Sequence, residues 1–271
     1  LYIFVIISLS FSLTTEDIYD NSYAIIIGID KYQNVKNLNY AVKDAESIQN
    51  ILVSSFDFPK DNVTLLKNEE ATKKNILKSF SEITKKAEDS DRVLIFFAGH
   101  GETMDLPEGG EKGYLIPVEG DSEDLYLTGL PMEELRQIAL ISRAKHMLYL
   151  VDACYGGIAA VGSRGLDSKR TPNYIDKITK DKSRQVITAG GRGEQVIEKP
   201  EWGHSAFTMN LLRGLKGRAD FDSDNVITAN ELYLFLQRTV TEDSGNAQSP
   251  TRGRYGSYDG EFIRGLYNSR H

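Results

Sequence analysis

Three stretches of the chain, residues 23–29 (YAIIIGI), 92–98 (RVLIFFA) and 145–151 (KHMLYLV), are apolar without the alternation that a strand facing water on one side would show. Runs of that kind need burial on both faces, which a parallel sheet covered by helices provides. The intervening segments supply the helices. Ala41, Ala45, Ile48, Ile51 and Leu52 recur at helical spacing up to Phe56, and Ile76, Leu77, Phe80 and Ile83 share one face of a segment from Thr72 to Ala87, opened by Thr72. A third helix is expected over 132–141, with short strands at 63–66 and 114–118. Strand and helix alternate, and each return to a parallel strand needs a crossover helix. The expected class is therefore α/β, with a mostly parallel central sheet and helices on both faces.

Two of the runs end in chemistry. Residues 92–98 stop at Gly99-His100-Gly101, and residues 145–151 stop at Asp152-Ala153-Cys154-Tyr155-Gly156-Gly157, which holds the only cysteine of the chain. Neighbouring strand ends of a parallel sheet open into one crevice, which suits a Cys-His dyad. The thiolate would be the nucleophile, and the imidazole would lower the thiol pKa and later protonate a leaving amine. The competing reading is an inert buried cysteine and a capped turn histidine. Both residues follow apolar strands and adjoin glycines, which favours the dyad.

Cys154 also follows His100 at roughly the 50-residue interval of caspase-type peptidases, and Asp-Ala-Cys-Tyr-Gly is a near match to their signature. On these residues the chain resembles caspase-like cysteine peptidases (clan CD, peptidase family C14), nearer to metacaspases and paracaspases than to true caspases, over roughly residues 23 to 265. The resemblance implies the caspase-hemoglobinase fold. It also implies an oxyanion hole from the N–H groups of Gly101 and Cys154, with no third triad member. Asp152 and Asp44 match pocket acids of relatives that cut after Arg or Lys, and Tyr155 stands where caspases carry an arginine. Two carboxylates holding a basic P1 side chain bidentately are then expected. The plainer alternatives are a solvated helix position for Asp44 and a strand-end cap for Asp152.

The implied function is a cysteine endopeptidase acting on proteins after Arg or Lys; a catalytically silent caspase-fold interaction module is the alternative. No GxGxxG or GxxxxGK[ST] turn supports a nucleotide-binding protein. A chain of 271 residues, 40% hydrophobic, suits one domain. Its expected parts are an apolar segment and linker over 1–22 and a peptidase domain over 23–271. The domain divides into a large-subunit-like part (23–162), a basic linker loop (163–184) and a small-subunit-like part (185–271). That basic stretch, with Arg164, Lys169, Arg170, Lys177, Lys180, Lys182 and Arg184, reads as an exposed loop and a candidate for self-processing. The tail 245–260 is expected to be ordered only by packing on the domain.

A net charge of −7 disfavours a nucleic-acid partner and mildly favours cationic substrates. Residues 1–13 (LYIFVIISLSFSL) fit either a secretory signal remnant, implying an extracytoplasmic protein, or an apolar segment packed on a cytoplasmic one. Both a homodimer and a monomer remain open. Residues 220–231 fit an EF-hand loop, with Asp220, Asp222, Asp224 and Glu231 as calcium ligands and Asn225 where glycine is usual. The same residues also read as a turn followed by a Thr228/Glu231 capping box. The dyad itself requires no cofactor. His204 reads as structural, and neither His146 nor His271 has an evident partner.

Overall fold

The computed structural model describes residues 15–153, 174–191 and 193–264. Cys154, the N-terminal apolar run and the basic segment through residue 173 lie outside the described residues, as does His271. In chain order the elements are β1 (Ser22–Gly28), α1 (Ala41–Ser55), β2 (Val63–Lys67), α2 (Lys73–Lys86), β3 (Arg92–Ala98), β4 (Gly101–Asp105), β5 (Glu111–Leu115), α3 (Leu125–Thr128), β6 (Leu130–Pro131) and α4 (Met132–Ile141). They continue with β7 (His146–Asp152), α5 (Tyr174–Lys180), β8 (Ser183–Thr188), β9 (Glu198–Lys199), β10 (His204–Ser205), α6 (Ala206–Arg213), β11 (Ile227–Thr228), α7 (Ala229–Asp243), β12 (Thr251–Arg254) and β13 (Ile263–Arg264).

Six strands form the central sheet in the order β12-β8-β7-β3-β1-β2. Five run parallel, and β12 lies antiparallel to β8 at one edge. Every residue of β3 and of β7 is buried, as their unbroken apolar character requires. Alternation sends Leu94, Phe96, Leu148 and Leu150 to the face covered by α1, α6 and α7. Val93, Ile95, Phe97, Met147 and Tyr149 face α2 and α4 instead. Each such side chain contributes about 1.5–3 kcal/mol by leaving water. No helix of the described residues is long and apolar enough to cross a membrane.

Register fixes the crevice. Gly28 pairs with Ala98, and Ala98 with Asp152, so three neighbouring strands stop at one level.

Several expectations need correction. The strand expected at 114–118 is instead β5, which starts at Glu111, ends at Leu115 and forms a hairpin with β4, turned by Gly109 and Gly110 at φ 88° and 92°. Backbone polar groups of a long excursion must find partners, and here they find each other. The tail is also more ordered than packing alone requires, because residues 251–254 add β12 to the main sheet.

Arg184, expected in an exposed loop, is 1% exposed within β8. Its guanidinium donates to the carbonyls of Ala139, Ser142, Ala144, Lys145 and Ser183, so the charge is buried with every bond made to backbone oxygen. Nearby, α5 turns part of the same segment into helix, and Lys182 pairs with Asp89.

Candidate active site

His100 stands two residues beyond the end of β3, in a bend made possible by Gly99. A Cβ on Gly99 would come within 2.5 Å of the Tyr32 hydroxyl. That hydroxyl accepts the His100 backbone N–H at 2.8 Å, and the Tyr32 and His100 rings lie 4.9 Å apart. Nε2 of His100 is 2.7 Å from the carbonyl oxygen of Lys36. A carbonyl only accepts, so Nε2 carries a proton, and in the neutral ring Nδ1 keeps its lone pair. The backbone oxygen of Lys36 thus orients the imidazole, the role sequence reading left empty. The loop that presents it is closed by Asn37, whose side chain accepts from the Tyr32 N–H at 2.9 Å. Gly101 opens β4 opposite Leu115.

The strand beside β3 brings Asp152 to the same level and ends its described part at Ala153, the residue before Cys154. The Gly99 N–H donates to the Asp152 carbonyl across the two strand ends. The Asp152 side chain is 2% exposed. Its Oδ2 accepts from the Ser205 hydroxyl at 2.5 Å and from the Thr208 hydroxyl at 2.6 Å, whereas its Oδ1 is buried with no partner among the described residues. Ser205 caps α6 and takes the Thr208 N–H on the same hydroxyl, so the N-terminal end of that helix faces Asp152.

Asp44, in the first turn of α1, is 1% exposed. Its Oδ1 accepts from His204 Nδ1 at 2.5 Å and its Oδ2 from the Ser205 N–H at 3.2 Å. Ser205 therefore binds both acids, one through its hydroxyl and one through its amide. Burial raises the Asp152 carboxyl to about 7, the charge of Asp44 adds to the shift, and the two hydroxyl donors oppose it. Burial also raises Asp44, against the pull of His204. Glu198 adds negative charge nearby while binding the backbone of Asn39 and Tyr40. The structure thus brings Asp44 and Asp152 together beside the His100 strand end, with His204, Ser205, Thr208 and Tyr32 as members a residue pattern alone does not single out. A serine N-cap right after a histidine was the one available signal.

The acidic loop is a separate feature. Carboxylate oxygens of Asp220, Asp222 and Asp224 lie within 4.8 Å of one another, with Asn225 in the left-handed region at φ 65°. Glu231 is not brought to them. Its Oε2 accepts from the backbone and hydroxyl of Thr228, completing the capping box that starts α7. Three of the four expected ligands thus lie close enough together to share an ion, while Oε2 of the fourth is engaged in a helix cap.

A family model described as "Caspase domain" matches residues 21–254. A curated relative named Metacaspase-1, from Eremothecium gossypii, is 26% identical over 151 residues, 51% of this chain and 32% of that protein. A "Probable protease" of a Desulfuromonadales bacterium is 26% identical over 246 residues, 81% of this chain and 29% of that protein. The chain thus aligns with about a third of these relatives' length. Among solved structures, Caspase-1 from Spodoptera frugiperda superposes with a TM-score of 0.58 at 15% identity, covering 93% of this chain and 92% of that one. A Geobacter sulfurreducens protein superposes with a TM-score of 0.61 at 16% identity, covering 88% and 94%.

Proposed function

Because the chain belongs to the caspase domain family, we propose that it is a cysteine endopeptidase that cuts peptide bonds after arginine or lysine, with Cys154 as nucleophile and His100 as general acid and base. The observation that carries this reading is the register of β3 on β7. Ala98 pairs with Asp152, and His100 and Cys154 each follow their paired residue by two positions.

In this mechanism Nδ1 of His100 accepts the thiol proton, and the thiolate attacks the scissile carbonyl carbon. The oxyanion is met by the N–H groups of Gly101 and Cys154. The imidazolium then gives its proton to the leaving amine, and water releases the acyl group from sulfur. Lys36 holds the ring through Nε2 during both transfers. The primary specificity pocket is the buried acid pair. Asp152 Oδ1, unpartnered among the described residues and two positions before Cys154, accepts the basic P1 side chain. A net charge of −7 adds a field that favours cationic peptides.

Hydrolysis of matched fluorogenic peptides with Arg, Lys or Asp at P1, by wild type and Cys154→Ala, tests the reading. Cleavage after Arg and Lys that vanishes in the variant is expected. Cleavage after Asp alone, or cleavage that survives the substitution, contradicts it.

A further inference from the structure

The two pocket acids are not equivalent. Both oxygens of Asp44 are taken, Oδ1 by His204 and Oδ2 by the Ser205 N–H. Among the described residues, Asp152 has two hydroxyl donors on Oδ2 and none on Oδ1. Among the described residues, His204 is the only basic side chain hydrogen-bonded to either acid. It is held firmly: β10 pairs His204 with Lys199, and the turn before it runs through Gly203 at φ 61°, whose N–H donates to Lys199 and Pro200. The next residue, Ser205, caps α6 and binds both carboxylates. The imidazole is 17% exposed against 1% for the Asp44 carboxyl it covers, so it stands between Asp44 and the open side.

We propose that His204 is a positioning residue for P1 selectivity: by binding Asp44 it withdraws that carboxylate from substrate contact and leaves Asp152 Oδ1 as the single acceptor in the pocket. This rests on the reading of the acid pair as the P1 site. It changes what the pair does, since Asp44 acts through His204 and Ser205 and only Asp152 touches substrate. An ammonium is a point charge and is served by one strong acceptor, whereas a guanidinium fork gains most from two. A single-acceptor pocket therefore separates lysine from arginine weakly. Removing the imidazole frees Asp44 Oδ1 and the space beside it, which adds the second acceptor an arginine fork can use.

The test measures kcat and KM for matched Arg-P1 and Lys-P1 peptides with wild type, His204→Ala, His204→Asn, Asp44→Asn and Asp152→Asn, after thermal melts of each. Wild type is expected to handle the two peptides within about threefold, and His204→Ala to raise the Arg-to-Lys ratio of kcat/KM roughly tenfold through KM, with kcat little changed. His204→Asn places an amide N–H near the Nδ1 position and keeps the wild-type ratio. A merely structural histidine would lower both peptides in parallel, and that result overturns the proposal, as does an Asn variant that behaves like Ala. Should His204→Ala fail to fold, the carboxamide pair decides. Asp152→Asn must raise KM for both peptides far more than Asp44→Asn does, and equal rises overturn it. Wild type that cuts after neither residue removes the underlying P1 reading, a failure visible before any ratio is taken.

Discussion

Nε2 of His100 lies 2.7 Å from the carbonyl oxygen of Lys36, and this one contact assigns the ring tautomer and leaves Nδ1 free to move a proton. The contact depends on the bend from Asp30 to Leu38, which Asn37 closes on the Tyr32 N–H and which Tyr32 ties to the backbone of His100.

Loosening that bend should cost turnover before it costs binding. Tyr32→Phe leaves the His100 N–H without its acceptor, a loss of about 1–3 kcal/mol. Asn37→Ala opens the loop that carries Lys36. Each is expected to lower kcat roughly tenfold at nearly constant KM for an Arg-P1 peptide, by the general acid–base share of the rate. Unchanged kcat in both variants would show that the Lys36 contact is incidental.

The pocket acid gives substrate binding its own pH dependence. Burial holds Asp152 at about 7 without substrate, above the ordinary carboxylate range, so below that pH it is protonated and has no charge to offer. A bound cation favours the ionised form. KM for an Arg-P1 peptide should therefore fall as pH rises toward 7, by about tenfold per unit, and then level off. A citrulline-P1 peptide should lack the trend. Asp152→Asn should abolish it and raise KM for arginine about a hundredfold, as removing one partner of a buried charge pair does. A parallel pH dependence for arginine and citrulline would contradict the assignment.

Within segment 163–184, self-processing should be confined to Arg164, Lys169 and Arg170. Arg184 is buried with its guanidinium bound to five carbonyls, Lys182 pairs with Asp89, and Lys177 and Lys180 sit in α5. A peptidase needs an extended segment around the scissile bond, which a strand in the main sheet or a helix does not offer. Intact-mass analysis after incubation should show new termini after those three residues in wild type and none in Cys154→Ala. Cleavage after Arg184 would contradict the structure at that point.

At the far end of β7, His146 should shape the acid limb of stability. Tyr19 Oη donates to its Nδ1 at 2.6 Å, Nε2 donates to the Asp181 carbonyl at 2.9 Å, and burial holds its pKa near 3. The unfolded chain takes a proton near 6.5 and the folded chain does not, so stability present above pH 6.5 is lost as pH falls toward 3. The loss reaches on the order of 5 kcal/mol. Urea denaturation between pH 4 and 7 should show this slope in wild type and a shallower one in His146→Gln. Equal slopes would mean that other groups carry the acid limb.

What the chain discloses in one dimension and what it hides follow a physical division. β1, β3 and β7 were legible because burial on both faces leaves an unbroken apolar run, and α4 was legible over the same residues, 132–141, because its buried face repeats at helical spacing. Most of the hairpin β4–β5 was hidden because β4 and the start of β5 are exposed or half-exposed and largely polar, while only residues 113–115 are buried; the Gly109-Gly110 pair marked its turn. Arg184 misled for the opposite reason. A charge in a basic run reads as solvated, and the five carbonyls that permit its burial come mostly from the end of α4 and the turn after it. The orienting group of the site is a backbone oxygen, which no residue type encodes. The pairing of His204 with Asp44 spans 160 residues and exists only once α6 packs against α1.

The most direct measurement is covalent capture. A peptidyl fluoromethyl ketone with arginine at P1 should add once to wild type, detected as a single mass increment that maps to Cys154, the only cysteine of the chain. Cys154→Ala should remain unmodified, and the same warhead with aspartate at P1 should react at least about a hundredfold more slowly, since the buried acid pair repels it. An adduct that forms equally with aspartate, maps to another residue, or fails to form on folded wild type would contradict the account.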